Sequence, residues 1–140
     1  MGPDLNQWRK SGHFVAFGPH RIFCVDSAPG DRERPALFLI HGFPTASWDF
    51  ARVWPALAKR CRLIAADMLG FGFSSKPKHH AYSIMEQADL IEAVAAHHQV
   101  SRYHILAHDY GDTVGQELLA RDSGRASRAI GSVCFLNGGL

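Results

Sequence analysis

One stretch of the chain, YHILAHDYGDTVGQELLAR from Tyr103 to Arg121, limits the possible folds more than any other. Its first five residues are mostly apolar and aromatic, which is typical of a buried strand. From Asp112 onward the apolar residues recur at helical spacing, with polar residues between them. The stretch therefore predicts a strand, a sharp turn and a helix in direct succession.

The turn has the pattern small–x–acid–x–small, with Ala107, Asp109 and Gly111 at the fixed positions. This is the pattern of a nucleophile elbow, with aspartate where serine hydrolases have serine. Because the chain reverses sharply, large side chains at 107 and 111 would collide with neighbouring backbone. The turn would push the Asp109 side chain out of the sheet, toward helical N–H groups that favour a carboxylate.

A carboxylate nucleophile suits displacement at a saturated carbon, such as an epoxide carbon or one that bears a halogen, and leaves an alkyl ester on the enzyme. Water must then attack the carbonyl carbon of Asp109 itself, so an oxyanion hole would serve the enzyme's own ester. The alternative interpretation is that Asp109 merely caps the helix that begins near Asp112.

The rest of the chain predicts strands that alternate with helices. After a polar leader, the predicted strands are 13–17, 21–26, 36–40, 62–66 and 129–136. Ser47 is the predicted N-cap of one helix, and a capping box from Ser83 to Glu86 opens another that ends near His97. Alternation of this kind predicts an α/β fold with a mostly parallel sheet flanked by helices. The loops 41–44, 67–77 and 107–111 all follow strands, so they should meet at the sheet edge where ligands bind.

Composition excludes several classes of function. With 140 residues, 46% of them hydrophobic, the chain is one domain at most. A net charge of +2 without a basic block gives no case for a nucleic-acid partner. No apolar stretch resembles a signal peptide or a membrane segment, so a cytoplasmic location is expected. The three widely spaced cysteines indicate buried thiols in a reducing compartment, and no metal or cofactor is predicted.

Three motifs in order carry a resemblance to a known family: HGFP after the third strand, DMLGFGFSSKP after the fourth and AHDYGD after the fifth. With them the chain resembles the α/β-hydrolase superfamily, in the aspartate-nucleophile branch that contains epoxide hydrolases and haloalkane dehalogenases. The likeness is strongest to the mesoderm-specific transcript proteins and their bacterial relatives, which share HDYGD, GFGFS and an NGG after the sixth strand.

The resemblance implies roles for individual residues. Asp109 matches the nucleophile, and the backbone N–H groups of Phe43 and Tyr110 would form the oxyanion hole, with Pro44 holding the loop in shape. Gly70 and Gly72 match a tight loop beside the site, for which a structural role is favoured. Because Phe43 stands where dehalogenases commonly have Asn, the resemblance favours a small-molecule epoxide or ester over a halide-releasing substrate. A haloalkane or haloacid dehalogenase stays an alternative.

The resemblance also implies that residues 1–140 are the N-terminal portion of a hydrolase core domain, truncated after the sixth strand. The cap domain, the second acid and the catalytic histidine would then lie beyond Leu140. Of the local histidines, His41, His104 and His108 are not expected to act as the base. The fragment alone is expected to be inactive, and its last strand would be an exposed edge open to self-association.

Two other interpretations of the sequence stay open. One is a non-catalytic protein that binds a ligand or a partner on a truncated hydrolase fold. The other, nucleotide binding through residues 69–75, is disfavoured because the third glycine of the dinucleotide fingerprint is missing. The pairs His79-His80 and His97-His98 are expected to be solvated, since the sequence offers no Cys or acid to complete a metal-ligand set.

Overall fold

A computed structural model describes residues 2–138, so Gly139 of the NGG motif lies outside the described residues. The predicted alternation of strands and helices is confirmed. In chain order the elements are α1 (Leu5–Ser11), β1 (His13–Phe17), β2 (His20–Asp26), β3 (Ala36–Ile40), a 3-10 turn (Ser47–Phe50), α2 (Trp54–Leu57), β4 (Arg62–Ala66), α3 (Ile84–His97), β5 (Tyr103–His108), α4 (Tyr110–Ser123) and β6 (Ile130–Leu136).

The six strands form one mostly parallel sheet with the order β1-β2-β4-β3-β5-β6. β1 and β2 pair as an antiparallel hairpin and β2 is antiparallel to β4, whereas the other pairs are parallel. Ile40, the last residue of β3, lies opposite both Ala66 and Ala107. The loops after β3, β4 and β5 therefore leave the sheet at the same edge, as the sequence predicted.

Apolar side chains on both faces of the sheet explain why β3 is wholly apolar. On one face, Phe38 and Ile40 pack in a cluster with buried residues of α3 and α4 such as Leu90. On the other, Leu39 packs with Trp8 of α1 and with residues around the 3-10 turn. Each large side chain buried in this way stabilises the fold by about 1.5–3 kcal/mol.

β6 forms one edge of the sheet, and most of its side chains are exposed or half-buried. Phe135 and Leu136 are 39% and 41% exposed. The last predicted strand is therefore an edge strand with an apolar surface. Among residues 2–138, no helix combines the length and apolar character needed to cross a bilayer.

The polar leader contains a helix, α1, that was not predicted from the sequence. Asp4 accepts a hydrogen bond from the Gln7 N–H at 2.8 Å, and the Gln7 side chain accepts one from the Asp4 N–H at 2.9 Å. This reciprocal capping box starts the helix, and the burial of Trp8 fixes it on the sheet.

Three helix starts also differ from prediction. Ser47 is not an N-cap: it lies inside the 3-10 turn, and its hydroxyl bonds to Asp67 instead. Ser83 caps α3 as predicted, but the Glu86 side chain pairs with His80 and does not return to Ser83. α4 begins at Tyr110, two residues before the predicted start, because the turn feeds directly into the helix.

Candidate functional site

Asp109 lies between β5 and α4 with backbone angles φ +54° and ψ −120°. Positive φ is uncommon for a residue with a side chain, and such strain concentrates at functional sites. The prediction that position 111 requires a small residue is confirmed, because a Cβ on Gly111 would lie 2.4 Å from the Ile40 carbonyl oxygen. Ala107, on the other side of the turn, is fully buried.

Two backbone N–H groups hold the Asp109 carboxylate. The Phe43 N–H donates to Oδ1 at 2.9 Å, and the Tyr110 N–H donates to the same carboxylate. These two hydrogen bonds, the one from Phe43 foremost, lower the pKa of Asp109 below its ordinary value, so the group is ionised at neutral pH. Asp109 does occupy the N-cap position of α4, but its side chain makes no capping hydrogen bond there.

Gly42 permits the close approach of the Phe43 N–H. A Cβ at position 42 would lie 2.5 Å from Cβ of Asp109 and 2.9 Å from its Oδ1. The next peptide bond, between Phe43 and Pro44, is cis. Sequence reasoning missed the role of Gly42, although the glycine stands in the HGFP motif directly before the predicted N–H donor.

His41 anchors two of the three loops to each other. Its ring is buried, with Nε2 2.9 Å from the Met68 N–H and Nδ1 2.9 Å from the Gly42 carbonyl oxygen. Because Nε2 accepts from an N–H, Nδ1 carries the proton and the ring is neutral. Burial lowers the pKa of His41, which favours the same neutral form. Both ring nitrogens are occupied, so His41 is not placed to take a proton from a substrate water.

A buried carboxylate, Asp67, organises the glycine-rich loop. It accepts hydrogen bonds from the Ser47 N–H at 2.8 Å, the Ser47 hydroxyl at 2.6 Å and the Phe73 N–H at 2.8 Å. Gly72, at φ +54°, leaves room for it, because a Cβ there would lie 2.0 Å from Oδ2 of Asp67. Gly70 has φ +91°. Both glycines therefore allow the backbone conformation of the loop. Sequence reasoning missed the role of Asp67, although an acidic residue directly after a buried strand could have indicated it.

An apolar recess of about 350 Å³ is lined in part by Phe43 and Tyr110, the two residues whose N–H groups bond to the Asp109 carboxylate. It lies within the usual size range of small-molecule sites. The ring of Phe71 lies 6.3 Å from that of Phe43 and 6.0 Å from that of Tyr110. Gln87, which sequence reasoning missed, is buried and fixes one wall through two hydrogen bonds to the Leu69 backbone, at 3.0 and 2.9 Å.

His104 and His108 do not converge on Asp109. His108 faces a separate recess lined by Phe50, Leu106 and Leu136, among others, and His104 pairs with Ser132. In the part of the chain that the structure describes, the hydrogen bonds to the Asp109 carboxylate come from backbone N–H groups and none comes from a histidine.

The fold brings a third histidine to the pair His97-His98. Nε2 of His13 lies 2.8 Å from Nε2 of His98, and one ligand nitrogen from each of the three rings falls within 4.8 Å of the others. Sequence reasoning missed His13 because it lies 84 residues before His97.

Residues 35–138 match the family model for the alpha/beta hydrolase fold. Over 145 residues the chain is 46% identical to the mesoderm-specific transcript homolog protein of Bos taurus, an alignment that covers 100% of this chain and 43% of that protein. Over 113 residues it is 34% identical to haloalkane dehalogenase 2 of Mycobacterium tuberculosis, covering 81% of this chain and 37% of that protein.

Among solved structures, an alpha/beta hydrolase fold protein from Burkholderia ambifaria superposes with a TM-score of 0.80 at 30% identity, covering 99% of this chain and 46% of that chain. The chain thus spans less than half the length of each of these three proteins. The resemblance inferred from the HGFP, glycine-rich and AHDYGD motifs is confirmed, as is the predicted fold. The chain belongs to the alpha/beta hydrolase fold family.

Proposed function

We propose that this chain is the nucleophile-bearing part of a hydrolase that acts on a small electrophile, such as an epoxide, through an alkyl ester on Asp109. One observation carries the proposal: an ionised carboxylate at a strained turn accepts hydrogen bonds from the backbone N–H groups of Phe43 and Tyr110. In this interpretation the turn is a nucleophile elbow and the two N–H groups are the oxyanion hole.

In the first step, a carboxylate oxygen of Asp109 attacks an epoxide carbon. The carbon–oxygen bond of the ring breaks and its electron pair stays on the leaving oxygen. That oxygen takes a proton from water, or from a general acid that the rest of the protein supplies. The product is a hydroxyalkyl ester of Asp109. The apolar recess, with the rings of Phe71 and Tyr110, suits the carbon skeleton of such a substrate. Phe43 offers no side-chain donor to a leaving halide, which favours an epoxide.

In the second step, water attacks Cγ of the esterified Asp109. Negative charge then develops on a carboxyl oxygen of Asp109. The Phe43 N–H already lies 2.9 Å from Oδ1, so this donor, together with the Tyr110 N–H that also bonds to the carboxylate, would stabilise the intermediate. A base takes one proton from the water and gives it to the departing alkoxide oxygen as the intermediate collapses. This releases a diol, and the new carboxyl group loses its remaining proton to solvent, which restores the carboxylate.

The attacking water needs a general base, and no histidine of residues 2–138 makes a hydrogen bond to the Asp109 carboxylate. We therefore propose that the base, the second acid and the cap are supplied by residues outside this chain, and that 1–140 is the N-terminal portion of the core domain. On its own, the chain should form the ester without turning it over.

Single-turnover hydrolysis in ¹⁸O-labelled water tests the proposal on the intact protein that contains this chain. With an aryl epoxide as probe, mass spectrometry should find ¹⁸O in the peptide that carries Asp109, because water attacks the enzyme's own ester. Asp109→Asn should abolish turnover, with deamidation excluded by mass. The matched control, Asp112→Asn, changes an acid three residues away and should keep turnover. If the label enters only the diol, Asp109 is not the nucleophile.

A second candidate is a haloalkane dehalogenase, favoured by the 34% identity to haloalkane dehalogenase 2. It uses the same ester, so halide release from a chloro- or bromoalkane would distinguish it from the epoxide hydrolase. A third is a non-catalytic binding protein, which the lack of a contacting histidine favours. For that candidate, the epoxide should bind without any mass increase at Asp109.

A further inference from the structure

We propose that His13, His97 and His98 form a binding site for a transition-metal cation of the Zn²⁺ class, separate from the site at Asp109. His13 is the first residue of β1, His97 is the last of α3, and His98 is the C-cap of that helix. The three rings come from two elements that are far apart in sequence. A cation bound by them would link the first strand of the sheet to the end of α3.

The distances suit three imidazole ligands. One ring nitrogen from each histidine lies within 4.8 Å of the others, and the closest pair, Nε2 of His13 and Nε2 of His98, is 2.8 Å apart. Nitrogens bound tetrahedrally to Zn²⁺ at about 2.0–2.1 Å lie about 3.3 Å from each other. Side-chain rotations that shorten the longest nitrogen–nitrogen distance by about 1.5 Å would therefore bring all three nitrogens onto one ion. His97 is exposed, so its ring is free to make this movement.

The His98 ring is oriented as metal ligands usually are. Its Nδ1 lies 2.7 Å from the Val94 carbonyl oxygen, one helical turn earlier, and donates a hydrogen to it. This contact fixes the tautomer, so Nε2 presents a lone pair toward His13. A ligating histidine typically donates its second N–H to a carbonyl or carboxylate in this way.

A charged pair lies beside the cluster, where Arg62 donates a hydrogen bond to the His98 carbonyl oxygen at 3.4 Å. Asp26 pairs with Arg62 at 2.7 Å, so neither residue leaves a free charge beside the cluster.

The position of the cluster assigns it a structural role. α3 contributes Gln87 to the recess beside Asp109 near its N-terminus, whereas His97 ends the helix. A helix of 14 residues is about 20 Å long, so the cluster lies far from the reacting carboxylate. Because the cation would bind only the folded arrangement, binding should raise the melting temperature.

The test titrates ZnCl₂ into the intact protein, purified without a histidine tag and stripped of metal. Calorimetry should give one ion per chain, and the ion should raise the melting temperature. His13→Ala and His98→Ala should each weaken binding at least tenfold and remove the thermal shift. His79→Ala, which removes an exposed loop histidine outside the cluster, is the matched control and should bind as the wild type does.

X-ray absorption at the zinc edge of the wild-type complex identifies the zinc ligands directly, so it tests the proposal even where a variant fails to fold. Three imidazole nitrogens at 2.0–2.1 Å are expected. No binding at 1 mM ZnCl₂ would overturn the proposal, leaving an ordinary hydrogen bond between His13 and His98. Sulfur ligands, fewer than three imidazoles, or undiminished binding by both alanine variants would overturn it equally.

Discussion

Gly42→Ala should displace the loop that holds the Asp109 carboxylate. The new Cβ would lie 2.5 Å from Cβ of Asp109 and 2.9 Å from both Oδ1 of Asp109 and the His108 carbonyl oxygen. Carbon atoms pack at about 3.5–4.0 Å, so the loop must retreat by about 1 Å. The Phe43 N–H···Oδ1 distance would then grow from 2.9 Å to about 3.9 Å, beyond the range of a hydrogen bond.

Three measurable changes follow from that displacement. The pKa of Asp109 should rise toward 3.8, because the larger of the two hydrogen bonds that lower it is lost. The free energy of unfolding should fall by about 1–3 kcal/mol, the usual cost of overpacking a tight site. If Asp109 acts through an ester, turnover by the intact protein should fall about 10²–10³-fold, as for loss of one oxyanion donor.

The pKa is followed by ¹³C NMR of labelled aspartate carboxyl groups across the acid range, and stability by urea unfolding. The control is Gly124→Ala at the end of α4, where a Cβ meets nothing closer than the Arg121 carbonyl oxygen at 3.7 Å. An unchanged Asp109 pKa in Gly42→Ala, with stability equal to the control, would show that the loop does not approach Asp109 as described.

Three further substitutions test the surroundings of the site. Ser47→Ala removes the hydroxyl that donates to buried Asp67 at 2.6 Å and should cost about 2 kcal/mol in urea unfolding; a loss below about 0.5 kcal/mol would contradict the network. Arg62→Met leaves the buried carboxylate of Asp26 unpaired and should cost about 3–5 kcal/mol, most of which the added Asp26→Leu should restore; a double variant as unstable as the single one would contradict this. Burial raises the pKa of Asp112, so its stabilising contribution is present below pH 3.8 and lost as pH rises through the raised pKa. Asp112→Asn should therefore melt higher than the wild type at pH 7, and the difference should shrink toward pH 3.

The sequence predicted the parts of the fold that local pattern determines. β3 is apolar throughout because both of its faces are buried, and a strand of this kind is hard to mistake. The turn at Asp109 was predictable because its steric demands exclude all but small residues at 111. α1 was not predicted, since it is short and polar apart from Leu5 and Trp8, although the spacing of Asp4 and Gln7 was visible.

Contacts between residues far apart in the chain could not be predicted from the sequence. His41 was assigned to the loop by its motif, but its hydrogen bond to the Met68 N–H depends on the pairing of β3 with β4. The approach of His13 to His98 likewise depends on where the first strand meets the end of α3. No local periodicity encodes either distance, because each is set by how whole elements pack.

Strand register is what joins these observations into one site. Ile40 pairs with Ala66 on one side and with Ala107 on the other. The register of this last residue of β3 therefore sets where all three loops start along the strand direction. A slip of one residue would move a loop by about 3.3 Å, more than the whole 2.9 Å separation between the Phe43 nitrogen and Oδ1 of Asp109. The motifs supply residues of the right chemistry, but only the buried pairing of β3 with its two neighbours brings a backbone donor within reach of the carboxylate. The geometry of the site therefore depends on both the loop motifs and the apolar strand β3, because the motifs provide the residues and the strand sets their relative positions.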